Sequence, residues 1–268
     1  MRIKSITYFF SITIAVLGLV FLLGYSANAT KKQIDLVQMN DNLSLKTESQ
    51  DIKNTYSILL PTSYRIFETD PLKILNKSWF ELYSDKSGFF IKQTDCKIEK
   101  GLDECSGLET KTIKTSSNTI LLIGGSKLQI GKLLSVNVVA SFLPGKKSTI
   151  SFNNKTYTLQ ATGIVRKDEK LFKPEQVAEF YWDEVENYVL SISSADGKKS
   201  VLIEMPGFKD TAVTLLFAGD IDKDGLLDLI FSHPSDYEEQ RVSLFLSSQA
   251  NGKEIMKMVD QVSIQFDC

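Results

Sequence analysis

Between residues 220 and 228 the chain reads Asp220-Ile221-Asp222-Lys223-Asp224-Gly225-Leu226-Leu227-Asp228. Carboxylates fall at the first, third, fifth and ninth places, with a glycine at the sixth. That spacing suits a hard divalent cation. Ca2+ takes about six to eight oxygen ligands at roughly 2.3–2.6 Å and tolerates irregular arrangements of them. Aspartates at alternate positions of a tight loop converge on one point as the loop curls, and Gly225 permits the sharp turn that a Cβ would hinder. Asp220, Asp222 and Asp224 are the expected side-chain ligands, the Leu226 carbonyl the expected backbone ligand, and Asp228 closes the site directly or through water. Ca2+ is favoured over Mg2+ on coordination number. Without an ion, four carboxylates this close repel one another. The competing reading is a solvated acidic turn, in which Lys223 lowers the local negative charge.

Apolar runs stand on both sides of this stretch: Thr214-Leu215-Leu216-Phe217-Ala218-Gly219 before it and Leu229-Ile230-Phe231 after it. Over residues 214–233 the chain resembles the calcium loop of FG-GAP repeats, the blades of integrin α-chain propellers and of related secreted bacterial proteins. The resemblance implies a loop joining two β-strands, with Asp220, Asp222, Asp224 and Asp228 as side-chain ligands and Leu226 as a carbonyl ligand. One copy of the pattern is present. An EF-hand matches less well, because its twelfth place would be Phe231 in place of a bidentate Glu and the flanks read as strands.

Other candidates are weaker. Tyr181-Trp182-Asp183-Glu184-Val185-Glu186 sets aromatics beside three acids, the raw material of a carboxylate-dependent glycan hydrolase using Asp183, Glu184 or Glu186. Acids beside a strand are more often merely solvated. His233, the single histidine, could act as a base near the ion, but a loop histidine with no visible partner is more often a bystander. Gly124-Gly125-Ser126-Lys127 lacks P-loop spacing and a following helical pattern, so it reads as a hairpin turn.

The elements that must hold these residues are mostly strands. From Tyr56 onward the apolar period is mostly two. Strands are expected over Trp79 to Tyr83, Phe89 to Lys92, Thr119 to Ile123, Leu133 to Ala140, Thr149 to Phe152, Thr156 to Ala161, Tyr188 to Ser193, Ser200 to Met205, Thr214 to Ala218, Leu229 to Phe231 and Ser243 to Leu246. The alternation Val262, Ile264, Phe266 marks a last one. Pro144-Gly145 reads as a turn, and Asn153-Asn154 and Asp196-Gly197 as hairpin turns, the former pairing Ile150 to Phe152 with Tyr157 to Leu159. Lys173 to Tyr181, with Pro174 at the first helical position, reads as a short helix. No repeat of fixed period argues for a full propeller or solenoid. The expected class is mainly β, antiparallel strands and hairpins with one short helix, as one large or two small units. The order is a signal over 1–29, a polar arm over 30–55, and β regions over 56–175 and 176–268.

Composition bounds the function. The 268 residues carry 31 basic and 33 acidic side chains, one His and three Cys, for a formal charge of -2. One imidazole excludes a His-rich zinc centre, and the charge balance gives no reason to expect a nucleic-acid partner. Arg2 and Lys4, the apolar run Ile6 to Gly24, and Ala27-Asn28-Ala29 form a secretory signal with cleavage expected after Ala29. The alternative is an uncleaved N-terminal anchor, the only membrane contact expected. A periplasmic or secreted location follows. In that oxidising setting Cys96 and Cys105 are expected to bridge across a short loop, with Cys268 left over. No catalytic constellation emerges. The expectation is an exported, calcium-binding β protein that binds or scaffolds a protein or glycan partner.

Overall fold

Both faces of the last sheet are apolar, and that fact decides the architecture. The computed structural model describes residues 56–125, 128–166, 182 and 184–266. The signal and arm expected over 1–55, the helix expected over Lys173 to Tyr181, Asp183 and Cys268 lie outside the described residues. The fold is mainly β and antiparallel, as the period-two pattern predicts. The described residues belong to one compact unit.

A five-stranded sheet comes first. It comprises β1 (Tyr56–Leu59), β3 (Trp79–Asp85), β4 (Gly88–Gln93), β7 (Asn118–Gly125) and β8 (Gly131–Lys132), in the order β1-β7-β3-β4-β8. Beside it β2 (Ser63–Arg65), β5 (Lys97–Leu102) and β6 (Glu109–Lys114) make a small sheet in the order β2-β6-β5. Two up-and-down meanders follow. One is built of β9 (Lys147–Phe152), β10 (Lys155–Val165), β11 (Val185–Ser194) and β12 (Lys199–Gly207). The other is built of β13 (Thr214–Gly219), β14 (Asp228–Ser232), β15 (Glu239–Leu246) and β16 (Lys257–Gln265).

The last meander is the middle layer. Along β14, Leu229 and Phe231 enter a core shared with the β9–β12 sheet, while Ile230 enters a second core shared with the five-stranded sheet. Along β15, Phe245 joins the first core and Val242, Leu244 and Leu246 join the second. Successive side chains of a strand point to opposite faces, so a strand sandwiched between two sheets must be apolar at nearly every position. The runs in β13, β14 and β15 follow from this placement.

Most expected strands are present within a few residues of their predicted ends. The Asn153-Asn154 hairpin forms as expected, with φ of 45° and 60° at the two asparagines and Ile150 opposite Tyr157. Three expectations are corrected. Leu133 to Ala140 is irregular, with one bridge between Ser135 and Gly219. Gly124 and Gly125 lie at the end of β7, not in a turn, and a Cβ on Gly124 would sit 2.8 Å from the Trp79 ring. The expected Cys96–Cys105 bridge is absent, because Cys96 is a free thiol. Between these cysteines runs the extended strand β5, not a loop. At about 3.3 Å per residue it holds their Cα atoms far beyond the roughly 4.4–6.8 Å that a disulfide spans. A short helix, α1 (Pro71–Ile74), was not foreseen. It carries the usual start signal, with Asp70 capping the Leu72 N–H at 3.0 Å and a proline in the first turn.

Candidate metal centre

The acidic loop joins β13 to β14 in the middle layer, and its own apolar residues pin it there. Ile221 and Leu227 are both fully buried, Ile221 in the core toward the five-stranded sheet and Leu227 in the core toward the β9–β12 sheet. Each such burial is worth about 1.5–3 kcal/mol. With the loop held from both sides, the intervening polar residues have little freedom. Lys223 at φ 60° and Gly225 at φ 82° make the two left-handed bends that curl it.

Curling brings Asp220, Asp222 and Asp224 together, each offering a carboxylate oxygen within 4.8 Å of the others. Opposite oxygens around a Ca2+ ion are about 4.6–5.2 Å apart, twice the metal–ligand distance, so one ion can touch all three. Asp220 also organises the loop: its oxygens accept the Asp224 N–H at 3.0 Å and the Gly225 N–H at 2.9 Å. Asp224 Oδ1 accepts the Leu226 N–H at 2.7 Å. Asp222 Oδ2 accepts from Ser248 Oγ at 2.5 Å and lies 3.5 Å from the Tyr56 hydroxyl. Asp222 Oδ1 is buried with no partner.

Asp228 stands beside the cluster of three. It is fully buried, and its oxygens accept the backbone N–H groups of Ile221 at 2.8 Å and Ser247 at 2.9 Å. This carboxylate ties the two ends of the loop to the turn after β15 and is not in the cluster of three. Lys223, within the loop, contacts a distant segment. Its ammonium donates to the Ile130 carbonyl at 3.3 Å, so a hydrogen bond to another segment of the chain occupies it.

The electrostatics are those of crowded, desolvated acids. Burial pushes the Asp228 carboxyl well above the usual carboxylate range, opposed by the amides of Ser247 and Ile221. Partial burial raises Asp224 too, with the charges of Asp222 and Asp220 adding to it. Burial and the Asp222 charge push the Tyr56 hydroxyl up to about 12.

Several contributors are missing from any local pattern. Tyr56 comes from β1, 166 residues from Asp222 in sequence. Asn153, in the β9–β10 turn, donates its side-chain amide to the Gly225 carbonyl at 2.8 Å. Ser248 lies in a 3-10 turn, Ser247–Gln249, that follows β15. The loop therefore touches both flanking sheets and the turn behind it.

Among the described residues, the other candidates make the following contacts. Trp182 is buried in an aromatic cluster with Tyr188 and Phe208, at ring separations of 5.6 and 4.9 Å. Glu186 pairs with Arg166 at 2.9 Å, Glu184 Oε2 is buried without a partner, and Asp183 lies outside the described residues. His233 sits at the end of β14 away from the loop, with Nε2 2.8 Å from Ser243 Oγ. Ser243 is fully buried, so this pair is closed to any substrate. No family model matches the sequence, and neither a curated protein nor a solved structure is significantly similar to it.

Proposed function

We propose that this chain is an exported β protein with a binding or scaffolding role, in which one Ca2+ held by Asp220, Asp222 and Asp224 locks the middle sheet to its neighbours. The Leu226 carbonyl is the further ligand that the FG-GAP resemblance supplies. Asp228 anchors the loop around them.

Asp222 carries the reading. Its side chain belongs to a residue only 9% exposed, and one of its oxygens has no partner. A bare carboxylate oxygen out of water costs several kcal/mol unless a cation meets it. The donor set consists of hard oxygens only, which suits Ca2+ and not a soft or borderline metal. Export is supported by Arg2, Lys4, the apolar run and the Ala27-Asn28-Ala29 site. Outside the cytoplasm millimolar calcium would fill even a site with Kd of about 10⁻⁴–10⁻³ M.

Binding to the folded state alone stabilises it by RT ln(1 + [Ca2+]/Kd), about 2.7 kcal/mol at a hundredfold excess over Kd. For a chain of this size that raises Tm by roughly 5–10 °C. The test is calorimetry in EGTA and in millimolar CaCl2, on wild type and on Asp222→Ala. Wild type should gain several degrees with calcium and less with magnesium, and the variant should gain nothing. Identical wild-type melts in chelator and calcium would overturn the assignment.

A further inference from the structure

A cleft of about 580 Å3 opens beside the acidic loop, within the usual size range of small-molecule sites. Its walls come from the β9–β10 turn, the β11–β12 turn, the loop itself through Leu226, and the segment after β15 from Ser247 to Ile255. The lining mixes small apolar residues with Thr156, Tyr157 and Ser194, hydroxyl residues whose oxygens can accept from a ligand, the Ser194 proton being given to Asp196. That is the lining a polyhydroxylated ligand needs.

Charge narrows the class. The two acids at the rim already have internal partners: Asp196 accepts from Ser194 Oγ, and Glu254 accepts the Asn251 N–H at 3.3 Å. Among the described residues the two lysines, Lys155 and Lys198, make no ion pair within 4.0 Å. Both lysines line the cleft, Lys198 beside the Asp196 carboxylate, whose charged form it favours. We propose that this cleft binds a small polyhydroxylated carboxylate, of which a sugar acid is the type, with Lys155 and Lys198 taking its anionic group.

The proposal extends to regulation, and that part rests on the calcium reading above. Leu226 belongs to the loop, and Ser247 bonds to it twice, its N–H to Asp228 and its hydroxyl to the Leu227 carbonyl. Lys155 lines the same cleft as Leu226, the residue two places after Asp224 in the loop. A cation on the aspartates would add positive potential beside the cleft. Calcium and the carboxylate therefore bind with positive coupling, each raising the affinity for the other.

The experiment is isothermal titration of the full chain with D-glucuronate and with D-glucose, in calcium and in EGTA. Wild type, Lys155→Ala/Lys198→Ala, and Ala195→Trp are compared, the last filling the cleft from an exposed turn position. Glucuronate should bind wild type at least about tenfold more tightly than glucose. The double lysine variant should lose about tenfold, Ala195→Trp should not bind, and EGTA should weaken wild-type binding several-fold. Calcium should still raise the melting temperature of both variants. Glucose binding as well as glucuronate, no binding by wild type, or undiminished binding by Ala195→Trp would each overturn the cleft. The two readings fail separately. A calcium-stabilised protein that ignores glucuronate refutes the cleft alone, and lysine-dependent glucuronate binding without any calcium increment refutes the metal alone.

Discussion

His233 shows what one buried side chain can do to the pH range of a fold. The residue is 4% exposed, its Nε2 meets Ser243 Oγ at 2.8 Å, and Ser243 Oγ in turn donates to Gln261 Oε1 at 3.1 Å. With that hydroxyl proton committed to Gln261, Nε2 carries the hydrogen and Nδ1 is left as a bare lone pair, as its lack of a partner requires. Burial, helped by the Arg241 charge and opposed by Glu239, holds the imidazole down at about 4 from its ordinary 6.5. A lowered value in the folded state means that the unfolded chain takes up the proton first. Stability from this group is therefore intact above about pH 6.5 and drains away as the pH falls toward 4. At about 1.4 kcal/mol per pKa unit the full loss is roughly 3 kcal/mol, of which about 2 falls between pH 7 and pH 5. Urea unfolding of wild type and His233→Gln at those two pH values isolates it, because glutamine keeps a donor toward Ser243 without titrating. Wild type should lose about 2 kcal/mol more than the variant over that interval. Equal losses would mean that His233 is not held neutral.

At the scale of elements, the edge of β13 is closed by a segment that is not a strand. The Val136 N–H donates to the Ala218 carbonyl and the Asp220 N–H to the Leu134 carbonyl, both at 2.9 Å, so residues 134–136 follow β13 into the acidic loop. The approach is close enough that a Cβ on Gly219 would lie 2.3 Å from the Leu134 oxygen and 2.9 Å from the Ser135 Cα. Backbone on both sides cannot yield cheaply. Gly219→Ala should therefore cost about 3 kcal/mol, at the upper end of overpacking effects, as read by chemical denaturation, and a loss under about 1 kcal/mol would show that the segment can shift. The same contact explains why Leu133 to Ala140 looked like a strand in sequence. Its Val136, Val138 and Ala140 alternate because they pack on the first core, but a ladder needs more than one bridge. Strand β5 hid for the opposite reason. It lies at the edge of the small sheet with nearly every side chain exposed, so no apolar period marks it. The β9–β10 hairpin, β14 and the triad of aspartates were legible because local spacing sets them. Tyr56, Asn153 and Ser248 were not, since only the stacking of sheets brings them to the loop.

The described sheets form a stack in which the acidic loop is the meeting point. Tyr56 reaches it from β1, Asn153 from the β9–β10 turn, Ile130 through its carbonyl from beside β8, and Ser248 from behind β15. Apolar burial holds the two cores on either side, but at the loop end the layers are joined by polar contacts to a cluster of like charges. Repulsion among Asp220, Asp222 and Asp224 works against closure there, and a divalent cation converts it to attraction. Removing the cation should then loosen this end of the stack without unfolding the cores, a local opening of the sub-global kind. Amide exchange of the full chain in calcium and in EGTA separates the cases. In EGTA the amides of Asp224, Gly225 and Leu226, which the aspartate side chains accept, should lose protection together with those around Asn153 and Ser248. Those of Leu121, Ile192 and Leu244, fully buried in the sheets, should keep it. Uniform loss across all three sheets would instead make the ion a requirement for the whole fold. No change anywhere would leave the loop closed by its hydrogen bonds and its two buried side chains, Ile221 and Leu227, with no part for a metal.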